Sequence, residues 1–533
     1  MTADPVRRFG VLVLAAVLAL SAAACGGGGG EGAGGTVVVG VRADFSGLNP
    51  VTNTSIDTDQ VLKYGLFTPL IRYNDAFEPE PWLAESWALH GDTAVTFTLR
   101  DDVTWHDGEP VTAADVKFTF ELAKTPETGS LIGGVYLSRV ASAEVIDAHT
   151  ITFRLTRPHA QALEDFWWAP VPEHLLAGVE PDGLARAMYN RAPVGSGPFR
   201  FGEWRANDRL VLVPNASFPE ALGGPAEARV VFRVVPESAT LLTELLTGGV
   251  HVDIAVEPDQ TRQIERAERL TLHSFPGNTL YYLGWNNRRA PFDDRAVRRA
   301  MTLATDRQEL IDALLAGYGA RATSTVPPWH PYHPDVAPLP HDPDQARALL
   351  DAAGWRDRDG DGVRENDAGE ALAFTVMTSE RPLNRAMVEV IQSQLAAVGA
   401  AVEVRALEFQ TMLSLHRGRD FDAVLSNWVL DNFQMAAAPF ALFHSSQAGI
   451  EGSANRSGVR SPRLDSLIEA GAAATAPTEA RAVWRAFTVA VQEEQPFTFM
   501  FWLDELAASA DAVEGVAMDQ RGEFRTLPEW RRR

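Results

Sequence analysis

Two hydrophobic periods alternate along this chain. At Ala94–Arg100, Val95, Phe97 and Leu99 share one side of a period-two alternation, and Ile151–Leu155 repeats it, so both segments are predicted half-buried strands. The β-branched runs Thr36–Val41, Leu210–Val213 and Val230–Val235 predict more deeply buried strands. Helix starts carry their own marks. Thr112 with Asp115, and Asp306 with Glu309, have capping-box spacing, in which each side chain satisfies an orphan N–H of the first turn. Asp342-Pro343 and Ser461-Pro462 put a capping residue before a proline at the first helical position. Gly317 and Gly354 stand where helices end. Strands and helices interleave through the body, which predicts α/β lobes.

The first 35 residues follow neither period. Arg7 and Arg8 precede the apolar run Phe9–Leu20, then Ser-Ala-Ala-Ala-Cys. As a helix that run spans about 18 Å, short of the roughly 30 Å of hydrocarbon that a membrane helix must cross. It has the shape of a signal-peptide core, the alternative being an uncleaved anchor extended to Cys25. Ala22-Ala23-Ala24-Cys25 resembles a bacterial lipobox, with Ala at the first position where Leu is usual. That resemblance implies a signal peptide over 1–24 and a diacylated Cys25 at the mature N-terminus. The glycine-rich stretch to Gly35 then serves as a flexible tether over 25–35.

The chain has 533 residues, 46% of them hydrophobic, which is room for two to four domains with real cores. Its net charge of −23 excludes the basic face that nucleic-acid binding requires. A single cysteine excludes disulfide frameworks and Cys-rich metal sites. The only lysines are Lys63, Lys117 and Lys124; none follows a glycine, so there is no Walker A loop. Gly195-Ser196-Gly197 is not a nucleophile elbow, because Val194 stands where that motif needs glycine. His330 and His333 lie in the proline-rich stretch Pro327–Pro334, which reads as a surface loop. Asp357, Asp359 and Asp361 with Gly362 match the first half of a calcium loop, but its twelfth position is Ala368. No metal, no cofactor and no catalytic constellation is expected.

Four stretches together resemble the family 5 extracellular solute-binding proteins of ABC importers, the dipeptide-, oligopeptide- and nickel-binding class. They are Phe97–Phe120, with its Trp105-His-Asp-Gly-Glu-Pro-Val-Thr-Ala-Ala-Asp core, Gly195–Trp204, Asn287–Ala300 and Ala346–Trp355. The resemblance implies a bilobal, periplasmic-binding-protein-like fold of type II, in the large three-domain class, with a ligand cleft between the lobes. Lobe I would be discontinuous (36–73, 171–283 and 496–533), domain II (74–170) would pack on it, and lobe III (284–495) would form the other jaw. Crossovers are expected near Tyr282–Asn287 and Gln495–Phe501.

In peptide-binding members a Trp-x-x-Asp segment supplies an Asp for the peptide's α-ammonium, and Trp428-Val-Leu-Asp431 matches it. The family's usual continuation is replaced here by Asn432-Phe433-Gln434-Met435. In the same register, Tyr282 and Asn286 at a crossover, Phe409 as an aromatic wall, and Ser55 and Asp57 on a lobe I loop are candidate ligand contacts. The implied protein is a non-enzymatic, exported binding lipoprotein, anchored by lipid on the periplasmic or outer-surface side. It would pass a peptide or other small solute to permease and ATPase subunits. A ligand sensor on the same fold and a secreted hydrolase are the alternatives.

Overall fold

The computed structural model describes residues 35–91, 93–156, 161–430, 435–474 and 476–533. Cys25 lies outside the described residues, as does Asp431. The expected strands form: Thr36–Val41, Ala94–Leu99, Thr150–Leu155, Arg209–Pro214 and Arg229–Val234. The helix caps form as well, except that the Asp306–Glu309 box closes on one side only, because the Asp306 N–H donates to Gln394. The Thr112 N–H donates to the Asp115 carboxylate at 2.9 Å. Asp306, Asp342 and Ser461 each accept a first-turn N–H. Gly317 and Gly354 adopt the left-handed conformation, with φ +92° and +87°.

One eleven-stranded mixed sheet runs through both jaws. In the first jaw, Thr36–Val41 pairs in parallel with Arg229–Val234 and Val252–Asp253. In the second, Ala373–Ser379 pairs in parallel with Ala401–Leu407 and Ala423–Val429. Two long strands, Leu270–Trp285 and Phe497–Ala510, lie antiparallel at the centre and belong to both. Their second-jaw half is buried on two faces. Tyr281, Leu283 and Trp285 enter one core layer, while Leu280 and Tyr282 enter the other. That is why Leu280–Trp285 reads as an apolar run without polar alternation.

The central strands change jaws at a different place from the one expected. Thr279–Trp285 pairs with Ala423–Val429 and packs wholly in the second jaw, as does Phe497–Trp502. The register breaks between Pro276 and Thr279, opposite Asp504 and Leu503. The crossover therefore lies at Gly277-Asn278 and Leu503-Asp504. The two tyrosines and the aromatics of 497–501 are core of the second jaw, not a linker.

A four-stranded antiparallel sheet stands apart, in the spatial order Ala84–His90, Ala94–Leu99, Thr150–Leu155, Val140–Asp147. The helix Ala113–Lys124 covers it, and Asp115 also accepts the Glu173 N–H at 2.9 Å, tying the module to the chain that leaves it. Phe97, Phe153 and Phe166 meet at ring-centroid distances of 4.7 to 6.1 Å. The Phe166-Trp167-Trp168 stretch is core. This module and the first jaw share one continuous hydrophobic core.

Candidate functional site

Gly277 and Asn278 leave the ladder as a bulge at the point where the sheet passes between the jaws. A Cβ at position 277 would come within 2.5 Å of the Leu503 carbonyl oxygen, so only glycine lets the two central strands approach here. The Asn278 carbonyl accepts the Leu430 N–H at 3.0 Å, which draws the end of strand Ala423–Val429 to the hinge. The Gly277 carbonyl accepts the Trp329 indole N–H at 3.3 Å.

Carboxylates gather around this bulge. Asp504 and Glu505 follow Leu503 on the central strand; Asp57 lies in the first turn of helix Ile56–Val61, and Glu523 on the returning C-terminal segment. Burial pushes Glu505 up to about 7, reinforced by the negative charges of Glu523, Asp57 and Asp504. Burial likewise raises Asp57, Asp504 and Glu523, the last against a hydrogen bond from the Gln60 amide. None of the four forms an ion pair among the described residues. Asp59, on the same helix as Asp57, shows the contrast. It pairs with Lys63 at 2.7 Å, and the Lys63 ammonium also meets the Tyr136 hydroxyl at 3.2 Å and the Trp167 ring at 4.0 Å. Burial opposes that charge, but Asp59 and Tyr136 outweigh it and hold the ammonium above its ordinary pKa. Among the described residues the cluster at the bulge thus has no basic partner, and its natural complement is a cation.

The jaws touch above the bulge. Phe77, at φ +59°, tips the turn between strands Ile71–Tyr73 and Pro79–Pro81 and stacks on Trp329 with ring centroids 5.4 Å apart. Arg521 braces that turn through the Tyr73 carbonyl (3.2 Å) and the Asp75 and Asp519 carboxylates (2.5 Å each). Trp329 packs against the core of the opposite jaw. The expected surface loop at Pro327–Pro334 is therefore an interjaw contact. His330 is buried, its Nδ1 accepting the Tyr332 N–H at 3.1 Å. The prolines that exclude a helix here are what project Trp329 across the gap.

Two lobes that share hinge strands can close on a ligand between them, and comparison with known proteins agrees with such a fold. Residues 78–449 match the family model described as bacterial extracellular solute-binding proteins, family 5, middle region. This chain belongs to that family. The oligopeptide-binding protein AppA of Bacillus subtilis is 26% identical over 509 residues, covering 93% of this chain and 91% of that protein. Its structure in complex with a nonapeptide superposes with a TM-score of 0.77 at 25% identity, covering 95% of this chain and all of the other. NikZ of Campylobacter jejuni, solved with Ni(L-His), shares the fold with a TM-score of 0.78 at 23% identity, covering 93% and 99%. Like its relatives, this family 5 chain is a solute-binding protein. No helix among the described residues is long and apolar enough to cross a membrane.

Within this family 5 frame the expected contacts separate. Ser55 caps helix Ile56–Val61, accepting the Thr58 N–H at 3.4 Å, and Asp57 beside it joins the carboxylate cluster. Trp428 is half-buried on strand Ala423–Val429, paired with Leu280, close before the hinge. Tyr282 is 2% exposed and stacks on Phe497 at 4.3 Å, so it is placed in a core layer. Asn286 is also 2% exposed, and its amide donates to the Phe421 carbonyl at 2.8 Å as a peg between strand ends. Phe409 opens the helix Phe409–Arg417 and is 43% exposed, under the Arg381 guanidinium at 5.9 Å. Asp357, Asp359 and Asp361 lie with Glu365 on an exposed turn, their carboxylate oxygens within 4.8 Å of one another. The aspartates already accept N–H groups of that turn, Asp357 from Gly360 at 2.7 Å and Asp361 from Val363 at 2.7 Å, so the turn caps itself. Ser196 is buried, and its hydroxyl accepts the Thr68 N–H at 3.1 Å in a structural joint. Glu505, Glu523 and Asn278 were not anticipated. A signal existed in Phe497–Ala510, where Asp504-Glu505 interrupts an otherwise apolar strand.

Proposed function

We propose that this family 5 protein is the substrate-binding lipoprotein of an ABC importer, and that it captures a peptide by its positively charged end at the hinge. The observation that carries the reading is the carboxylate cluster of Asp57, Asp504, Glu505 and Glu523, without a basic partner among the described residues. Such a cluster destabilises the empty cleft and is relieved when a cation enters. Asp431, next in sequence after Leu430, is the carboxylate that the Trp-x-x-Asp register assigns to the peptide ammonium. Closure of the jaws on the bound peptide is the form presented to permease and ATPase subunits.

Titration calorimetry with trialanine and its N-acetylated counterpart tests this. Glu505 takes up a proton below about 7 in the empty cleft, and a bound cation favours its ionised form. Affinity for the free-amine peptide should therefore rise several-fold from pH 6 to pH 7.5, with protons released on binding. The acetylated peptide should bind weakly at both. Equal affinity for the two peptides would refute capture through the ammonium.

The anchor is tested separately. Intact-mass analysis of membrane-associated protein should find a diacylglyceryl group on Cys25 and none in Cys25→Ser. One chain binds a membrane only reversibly, so stable anchoring implies further acylation or a second contact. Residues 1–24 still attached, or an unmodified Cys25, would overturn the lipoprotein reading.

A further inference from the structure

A cavity of about 310 Å³ lies between the jaws beside the Phe77–Trp329 contact. One wall comes from the turn bearing Phe77, with Tyr73 behind it, and from the short helix Ala162–Phe166 through Leu163 and Glu164. The facing wall comes from the other jaw, through Tyr332 of the proline-rich loop and Arg481 of helix Pro477–Glu494. We propose that this cavity is a second ligand site, which takes a small uncharged aromatic molecule bearing a hydrogen-bond acceptor and thereby holds the jaws closed.

Size, lining and charge each argue for that class. A cavity of about 150 Å³ already admits benzene, so this one accommodates an aromatic ring with an amide attached. Its aromatic and aliphatic walls suit edge and face contacts with a ring. Leu89, on the same lining, is 52% exposed and would be covered by an occupant. Two donors point the polar end. Arg481 uses Nε on the Pro331 carbonyl at 3.1 Å, and its other nitrogens make no hydrogen bond among the described residues. The Glu164 carboxyl likewise makes none, and burial pushes it up to about 8, so at neutral pH it keeps its proton and donates. Net charge on the ligand is disfavoured in either sign, because Arg481 meets a cation and Glu78 an anion. Because the walls belong to different jaws, an occupant binds only when they meet, and it shifts the open–closed equilibrium by its preference for the closed form. The site is chemically unlike the acidic hinge, and its test does not depend on the peptide reading.

The full chain is titrated with N-acetyl-L-phenylalaninamide, a neutral aromatic amide, and small-angle scattering is recorded at saturation. Saturable binding with a smaller radius of gyration is expected. Ala76→Trp, at an exposed lining position, should fill the cavity and weaken binding at least tenfold. Tyr332→Ala should weaken it several-fold with the melting transition still cooperative. Glu505→Gln at the hinge should leave the probe's affinity within about twofold. Absence of saturable binding, or equal affinity in wild type and Ala76→Trp, overturns the site. Loss in Glu505→Gln with retention in Ala76→Trp places the probe in the main cleft and overturns it equally. Binding without contraction overturns the coupling to closure.

Discussion

Asp431→Asn is expected to weaken binding of a free-amine peptide by roughly 30-fold to several-thousand-fold, as read by titration calorimetry at neutral pH. The range follows from about 2–5 kcal/mol for removing one partner of a charge pair that closure desolvates. Burial, reinforced by the negative charges of Glu523, Asp57 and Asp504, drives Glu505 towards its protonated form, and none of the four carboxylates has an ion-pair partner among the described residues. A ligand ammonium supplies one, and Asn at 431 retains shape while withdrawing a full charge. A solvated Asp that merely caps the following turn would behave otherwise, losing about 1 kcal/mol of stability and little affinity. An Asp431→Asn affinity within about threefold of wild type, with a lowered melting temperature, would mark it as such a cap and end the peptide assignment.

Phe153→Ala is expected to cost about 3–5 kcal/mol of stability. Its ring is fully buried and touches Phe97, Phe120, Phe166 and Trp168, so truncation leaves a cavity walled by rigid aromatics that cannot collapse into it. The more informative outcome is where that loss is felt. The four-stranded module shares its core with the first jaw, and Lys63 binds across the joint to Tyr136 and Trp167. Urea unfolding should therefore shift as one transition for both units, whether followed by tryptophan fluorescence or far-ultraviolet circular dichroism. A separate early transition confined to residues 74–170, resolved by hydrogen exchange, would show that the module folds on its own core.

The elements legible in the sequence were those whose determinants sit close together. Val95, Phe97 and Leu99 alternate because one face of their strand meets Phe153 and Phe166. Asp306, Asp342 and Ser461 cap helices by accepting N–H groups at most three residues away, and Asp115 accepts the Thr112 N–H three residues before it. Asp57 was named from the family register as a contact on a loop, and the structure sets it in the first turn of helix Ile56–Val61. Tyr282 and Asn286 show the limit. Both were placed near a crossover by their order in the chain, yet the stack on Phe497 and the amide bond to Phe421 put them in the second jaw. An aromatic beside an asparagine has the same appearance at a ligand wall and at a core peg.

By itself, then, the sequence determined the α/β alternation, the capped helices, the buried strands and the family-wide order of motifs. Local sterics and hydrogen bonding decide each of these within a few residues. Tertiary structure alone decided where the jaws hinge, because the register break at Gly277-Asn278 exists only against Leu503 and Asp504. It alone turned Pro327–Pro334 from a loop into an interjaw contact, by bringing Phe77 under Trp329. It also brought four acidic residues, far apart in the chain, into one cluster. Charge in a sequence is a sum, but the energy of a carboxylate depends on its burial and on its neighbours in space. Asp57, Asp504, Glu505 and Glu523 acquire their shared field only where the C-terminal segment and the first helix close on the central strands.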